Sequence, residues 1–73
     1  MTAPNLEAWQ QRLLDERRDL QERTCKLRDY VGSPHFGRLT EENRRMLTIQ
    51  RDVMVSLVSV LNARVALFEA AQP

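Results

Sequence analysis

The chain has few of the residues that build small catalytic or metal-binding domains. Its 73 residues include one cysteine, one histidine and two glycines. A single cysteine, Cys25, excludes an intrachain disulfide, and Cys25 with His35 falls far short of the ligand set of a structural metal site. The sequence has no glycine-rich phosphate loop, and no nucleophile with a base and an orienting group is evident. We therefore expect no metal, no cofactor and no enzyme activity.

Neither sign of charge is in excess. Eleven Lys and Arg stand against ten Asp and Glu, and the balance is seven to six over 1–38 and four to four over 39–73. A protein that binds DNA or RNA usually carries a basic stripe, so we expect no nucleic acid polymer as a partner. No charged start followed by an apolar run is present, so no signal peptide is predicted. The free thiol fits a reducing cytosol, and we expect a cytoplasmic location.

Apolar residues at helical spacing predict a first helix from about residue 5 to about residue 31. Residues 1–5 read as a short tail, with Asn5 as the N-cap. A bend near the start of this helix is left open. The expected apolar seam consists of Leu6, Trp9, Leu13, Leu20, Leu27, Tyr30 and Val31. Two polar steps, Glu16/Arg17 and Arg23/Thr24, interrupt it, and they are either solvated or the walls of a polar groove.

A turn over residues 32–39 is predicted between two helices. Glycine suits the position after a helix and proline cannot continue it, so Gly32-Ser33-Pro34 ends the first helix. We expect Phe36 to lie between the helix ends. Thr40 is the predicted N-cap of a second helix from about 40 to about 70. A short connection makes antiparallel neighbours, so the prediction is an all-α, single-domain hairpin over 1–73.

The second helix is more apolar than one neighbouring helix can cover. In its first half we expect four charged residues outside and four apolar ones inward, namely Arg44, Arg45, Arg51 and Asp52 against Met46, Leu47, Ile49 and Val53. From Val53 to Ala71, fourteen of nineteen residues are apolar and surround the helix. Such a helix is buried on all sides, so a homo-oligomeric helical bundle is predicted. A membrane span is disfavoured because Asn62 and Arg64 interrupt the run and no basic cluster flanks it.

A few side chains could bind a ligand. Trp9 is either a core anchor or a platform on which a nucleobase stacks. Arg23 and Lys26 lie three residues apart on nearly the same face, so they could hold one phosphate. Arg64, within the apolar half of the second helix, must pair, extend to solvent or meet an anion. Its simplest partner is Glu69 of another copy.

The order and spacing of several short motifs resemble one family over nearly the whole chain. The motifs are Trp9-Gln-Gln-Arg-Leu-Leu-Asp-Glu16, Leu20, Lys26-Leu27, Ser33-Pro-His-Phe36, Leu39-Thr-Glu-Glu42, Met46-Leu47 and Gln50. They resemble the small helical phage proteins that sequester cyclic-nucleotide immune signals, the hexameric anti-CBASS sponges. The resemblance implies a phage immune-evasion protein of the host cytoplasm. It would bind cyclic dinucleotides, and cyclic trinucleotides as a further candidate, without cleaving them, and so block host effectors.

The resemblance also implies roles for individual residues. Trp9 stands where the family typically has a tyrosine that stacks on a base, and Gln10 follows it. The family's phosphate-binding lysine corresponds to Arg23 or Lys26, and spacing does not decide between them. Arg64 is the cation that matches the separate trinucleotide site. The alternative function is a helical-hairpin interaction or assembly module with a protein partner and no nucleotide ligand.

Overall fold

The computed structural model describes residues 6–71, which form two long helices joined by a short connection. Helix α1 spans Ala8–Val31 and helix α2 spans Glu41–Ala70, with one 3-10 turn at Phe36–Arg38. The helices contact each other in antiparallel orientation, and residues 6–71 contain no strand. The predicted all-α hairpin is therefore confirmed.

The ends of the helices follow local capping chemistry. α1 begins at Ala8 with Glu7 as its N-cap, whose backbone N–H donates to Gln10 Oε1 at 2.8 Å. This start is later than predicted, and the predicted cap Asn5 and the tail 1–5 lie outside the described residues. Thr40 caps α2 as predicted, since its hydroxyl accepts from the backbone N–H of Asn43 at 3.2 Å.

The connection is held by an aromatic pair. Phe36 is half-buried and packs edge-on against Tyr30, with the two ring centroids 6.5 Å apart. Gly32 ends α1 with φ of −83°, a right-handed conformation open to any residue. The glycine is thus not needed for its conformational freedom, in contrast to the sequence expectation.

The contact between the helices follows a seven-residue repeat, which we call the inner seam. On the side of α1 it consists of Leu6, which precedes the helix, and Leu13, Leu20 and Leu27 together with Gln10, Arg17, Thr24 and Val31. On α2 it consists of Leu47, Met54, Leu61 and Phe68 together with Arg44, Arg51, Val58 and Val65. All of these residues are buried or half-buried. Alternating steps of three and four residues are the heptad pattern of coiled coils.

The hydrophobic core occupies the end of the hairpin away from the turn. The buried apolar residues are Leu13, Leu61, Val65 and Phe68, and Leu6, Leu14 and Leu20 pack against them. Toward the turn the inner seam contains polar side chains. The buried hydroxyl of Thr24 donates to the carbonyl oxygen of Leu20 at 2.6 Å, so it is satisfied within its own helix.

The predicted seam of α1 was partly wrong. Trp9 and Tyr30 are exposed by 46% and 37%, whereas Arg17 and Thr24 lie in the inner seam. The reason is the spacing of the contact. Steps of three and four from Leu6 select residues 10, 13, 17, 20 and 24 and leave Trp9 on the neighbouring row of the helix.

The inward face of α2 was predicted only in part, since Leu47 is half-buried and Arg45 and Asp52 are exposed, as expected. Met46, Ile49 and Val53 are exposed, while Arg44 and Arg51 are half-buried. Long arginine side chains can cover apolar surface with their methylene groups while the guanidinium stays in water. Pairing with α1 therefore selects the row that contains these arginines. The row of Met46 and Val53 is left open to solvent.

Much of α2 remains uncovered by the hairpin. Its most apolar window of eighteen residues has a mean hydropathy of 1.6, and 17% of that window is buried. By length and composition alone, α2 could cross a membrane. The hairpin thus leaves much of the apolar surface of α2 exposed.

The N-cap of α2 can be tested with Thr40→Ala. Loss of the capping hydroxyl should lower the free energy of unfolding by about 1 kcal/mol. The measurement is denaturation followed by circular dichroism at one fixed protein concentration. Gly37→Ala is the control in the same connection, since an added Cβ meets no atom within 4 Å. If both variants lose equal stability, the capping role of Thr40 is wrong.

Candidate functional site

A groove runs along one side of the hairpin, beside the inner seam. On α1 its edge is formed by Trp9, Glu16 and Arg23, which are seven residues apart. The opposite edge includes Leu57 and Arg64 of α2, again seven apart. We call this feature the side groove. The groove forms because the residues of each edge lie beside the inner seam on their own helix.

The side groove contains two adjoining clefts that share Arg64. The first has a volume of about 470 Å³ and is bordered by Trp9, Gln10, Arg64, Leu67, Phe68 and Ala71. The second has a volume of about 330 Å³ and is bordered by Glu16, Asp19, Leu20, Arg23, Leu57, Leu61 and Arg64. Ligand sites for small molecules typically occupy ~300–1,000 Å³, so each cleft is large enough for part of a nucleotide.

Trp9 is anchored and accessible at the same time. Its ring packs edge-on against Phe68, with centroids 5.8 Å apart and an interplanar angle of 79°. Phe68 is only 7% exposed, whereas Trp9 is 46% exposed. The two roles considered for Trp9 are therefore compatible, because one contact holds the indole in place while nearly half of it stays open to a ligand.

Gln10 borders the first cleft from a buried position. It is 8% exposed, and its side-chain carbonyl accepts the hydrogen bond from the backbone N–H of Glu7. That bond ties the amide group to the start of α1. Gln10 therefore contributes a fixed polar atom to the wall beside Trp9.

Arg23 and Arg64 bring positive charge to the second cleft from opposite helices. Both side chains are exposed, and neither belongs to any ion pair found among residues 6–71. Glu16 and Asp19 border the same cleft. The cleft thus presents guanidinium donors together with carboxylate acceptors. Guanidinium groups bind phosphates through paired hydrogen bonds, and carboxylates accept hydrogen bonds from hydroxyl groups.

Lys26 is not part of the side groove. It borders a shallow depression on the outer face of α1, next to Arg18, Cys25 and Asp29. The structure therefore brings Trp9, Gln10, Arg23 and Arg64 to one side of the hairpin and leaves Lys26 apart.

Glu16, one of the residues considered as the wall of a polar groove, borders the second cleft. Asp19 borders the same cleft and was not identified by the sequence analysis. Glu16 shares the seven-residue spacing of Trp9 and Arg23, whereas Asp19 carries no comparable signal. Within residues 6–71 no group of three His, Cys, Asp or Glu side chains could hold a metal ion. The chemical groups that the groove does present are an exposed indole face, guanidinium donors and carboxylate acceptors.

The partial burial of Trp9 predicts a graded loss of stability. Phe68→Ala removes a buried ring and should lower the free energy of unfolding by ~3–5 kcal/mol. Trp9→Ala should cost less, since it removes an aromatic pair contributing ~0.5–1.5 kcal/mol and a half-exposed surface. Urea denaturation of both variants at equal concentration measures the difference. Equal losses would show that Trp9 is purely a core residue.

Comparison with known proteins identifies the family of the chain. Residues 7–67 match the family model Sequestin, whereas no curated protein and no solved structure matches the chain. The matched segment includes all five candidate residues, Trp9, Gln10, Arg23, Lys26 and Arg64. The match is consistent with the resemblance to sponge proteins, and the name fits a protein that sequesters a partner. Because the match covers most of the chain, the protein belongs to the Sequestin family.

Proposed function

We propose that this protein is a sponge that binds a small nucleotide signal in the side groove and holds it intact. The observation that carries the proposal is that the half-exposed Trp9 and the exposed Arg64 border the same cleft. An aromatic face accepts a nucleobase with ~1–3 kcal/mol of stacking energy. A guanidinium at the end of the same cleft suits the phosphate that follows the base.

The second cleft extends the same ligand chemistry. Arg23 offers a second cation, and Glu16 and Asp19 offer acceptors for ribose hydroxyl groups. Trp9 and Arg23 are fourteen residues apart, or ~21 Å along the axis of α1. A ligand stacked on Trp9 therefore reaches Arg64 before it reaches Arg23, so Arg64 should contribute more to phosphate binding.

The proposed ligand is a cyclic dinucleotide, with cyclic trinucleotides as a further candidate. One hairpin offers one stacking surface and two groove cations, so two copies would offer one stacking surface for each base and two cations for each phosphate of a cyclic dinucleotide. ADP-ribose, which contains one base and two phosphates, is a useful comparison because its groups match those of one groove. The family name supports sequestration, and the groove supports the nucleotide class.

Sequestration needs binding and no chemistry. A sponge lowers the free concentration of a signal by mass action when its sites are abundant and its affinity exceeds that of the effector. In the proposed setting a phage supplies the protein to the host cytoplasm, where the drop in free signal keeps CBASS-type effectors inactive. The protein would act as a homo-oligomer, with six copies as the number that the sponge resemblance implies.

The alternative function is an interaction or assembly hairpin with a protein partner. The exposed apolar face of α2 is the observation that favours it. The two functions differ in the side groove, since a protein-binding hairpin has no need of a stacking surface beside unpaired cations. A nucleotide titration therefore separates them.

Trp9 is the only tryptophan, so its fluorescence reports the groove directly. Titration with 3′,3′-linked and 2′,3′-linked cyclic dinucleotides, cyclic trinucleotides and ADP-ribose should quench it for at least one compound. Arg64→Gln should weaken that binding about tenfold or more, since hydrogen bonds to charged groups contribute ~1.5–3 kcal/mol. Arg23→Gln should weaken it less, and Trp9→Tyr should retain most of the affinity by calorimetry.

Lys26→Gln is the matched control for these substitutions. It removes the same charge from the same helix, three residues from Arg23, but outside the side groove. The Lys26→Gln variant should bind the nucleotide with the same affinity as the unmodified protein. If Lys26→Gln weakens binding while Arg23→Gln and Arg64→Gln do not, the groove assignment is wrong. If no compound binds, the protein-partner alternative is favoured.

Release of intact ligand tests the absence of chemistry. After incubation with an excess of protein, heat denaturation should return the bound nucleotide unaltered, as seen by liquid chromatography and mass spectrometry. Re-addition of the released compound to fresh protein should again quench Trp9. Linear or shortened products would mean that the protein cleaves its ligand.

A further inference from the structure

A second heptad row runs along the outer face of α2. It consists of Met46, Val53, Val60 and Leu67 together with Ile49, Ser56, Ala63 and Ala70, each set seven residues apart. All eight residues are exposed. We call this row the outer seam. It lies roughly 150° around the helix from the inner seam, so α1 cannot cover it.

The steps along the outer seam alternate between three and four residues, as they do along the inner seam. This spacing is what a helix presents to another helix that packs lengthwise against it. Its middle and C-terminal parts contain serine and alanine at every seventh position. A lipid-facing helix needs no such regular alternation of large and small residues.

The accessible surface supports association with a partner of substantial size. The hairpin exposes 5851 Å² and measures 52 × 20 × 16 Å. A compact monomer of 8.5 kDa exposes about 4,700 Å². The difference, about 1,200 Å², reflects the elongated shape of the whole hairpin, and the outer seam is one of its long faces. Each partner buries ~800 Å² in a standard stable interface, and a face of 52 by 16 Å is of this size.

We infer that the outer seam binds the outer seam of a second copy of this chain in antiparallel orientation. The argument for the orientation is the size of the side chains. In a parallel pair, Ala63 would meet Ala63 of the partner subunit and Val60 would meet the partner's Val60. Small layers would then leave voids between large ones, and helix cores are filled best when large residues face small ones.

An antiparallel pair removes most of this mismatch, and one register does so while using the full length of the seam. This register is centred near residue 58. In every layer it places one residue of the set that begins at Met46 opposite one residue of the set that begins at Ile49. The facing residues in this register are Met46 with Ala70, Val53 with Ala63, Val60 with Ser56 and Leu67 with Ile49. All eight residues of the seam are used, and each layer but one combines a large residue with a small one.

The rows beside the outer seam are compatible with this register. Leu57 meets Leu57 of the partner subunit near the twofold axis, and Arg64 comes close to the partner's Gln50. No two charges of the same sign face each other along these rows. Since Leu57 and Arg64 border the side groove, each copy supplies a wall to the groove of the other.

This inference deepens the homo-oligomer of the proposed function but does not depend on the ligand. The pairing rests on α2 alone and is measured without nucleotide. Failure of the pairing would therefore leave the groove titration unaffected, and absence of nucleotide binding would leave the pairing unaffected.

Disulfide cross-linking tests both the surface and the orientation. In a Cys25→Ser background, which removes the only native thiol, Val53→Cys and Ala63→Cys are prepared as separate proteins. Both positions are exposed in the hairpin, so neither change disturbs its core. In the antiparallel register, position 53 of one copy faces position 63 of the other. Identical positions lie ~15 Å apart along the axis, beyond the ~7 Å limit for a disulfide.

Copper-catalysed oxidation should therefore link the mixture of the two proteins, while each protein alone stays mostly unlinked. Linking of each protein alone would mean that identical positions face each other in a parallel pair, and it would overturn the orientation. No linking in any sample would overturn the surface. Light scattering of the unmodified protein should give an even multiple of 8.5 kDa, and a mass of one chain would contradict the pairing.

Substitution within the seam completes the test. Val60→Glu places a charge in the middle of the outer seam and should reduce the mass by light scattering or lower the melting temperature with dilution. Asn62→Glu adds the same charge two residues away, outside the seam, and should leave both unchanged. Co-sedimentation of the unmodified protein with phosphatidylcholine vesicles, without self-association, would show that lipid covers this face and would overturn the inference.

Discussion

The seven-residue pairing of α1 with α2 is the constraint on which the other features of the hairpin depend. Leu13 and Leu61 both belong to the buried cluster, and successive residues of a helix turn by about 100°. Once these two rows face each other, the direction of every other side chain follows. Trp9 lies beside the contact on α1, and Arg64 lies beside it on α2. The side groove is thus a geometric consequence of the inner seam.

The core is unevenly distributed, and this bears on the groove. The four buried apolar residues lie near the end that carries Trp9, whereas the part near the turn has Thr24, Arg44 and Arg51 in its seam. The edge contact with Phe68 joins Trp9 to the best-packed part of the hairpin. An aromatic ring held in this way loses little freedom on binding, so more of the stacking energy appears as affinity.

Local signals were sufficient to predict the two helices and the turn. The helix-ending segment 32–34 and the cap Thr40 depend only on residues a few positions away in the sequence. Such local signals were insufficient to predict which face of α2 turns inward. Met46 and Val53 are as apolar as Leu47 and Met54, so the choice is made by pairing with α1. The same holds for the site. Arg23 and Lys26 are three residues apart, and only the position of α2 separates the groove from the outer face.

The side groove, proposed to bind the ligand, and the outer seam, proposed to bind a second copy, meet at one place on α2. Phe68 belongs to the inner seam and Leu67 to the outer seam, and both border the cleft of Trp9. If a second copy covers Leu67, a ligand in that cleft touches the edge of the interface between copies. A ligand that binds better to the paired form must then stabilise the pair, and pairing must raise the affinity for the ligand by the same factor. A sponge built in this way would hold its signal most tightly in the assembled form, in which self-association through the outer seam has already been completed.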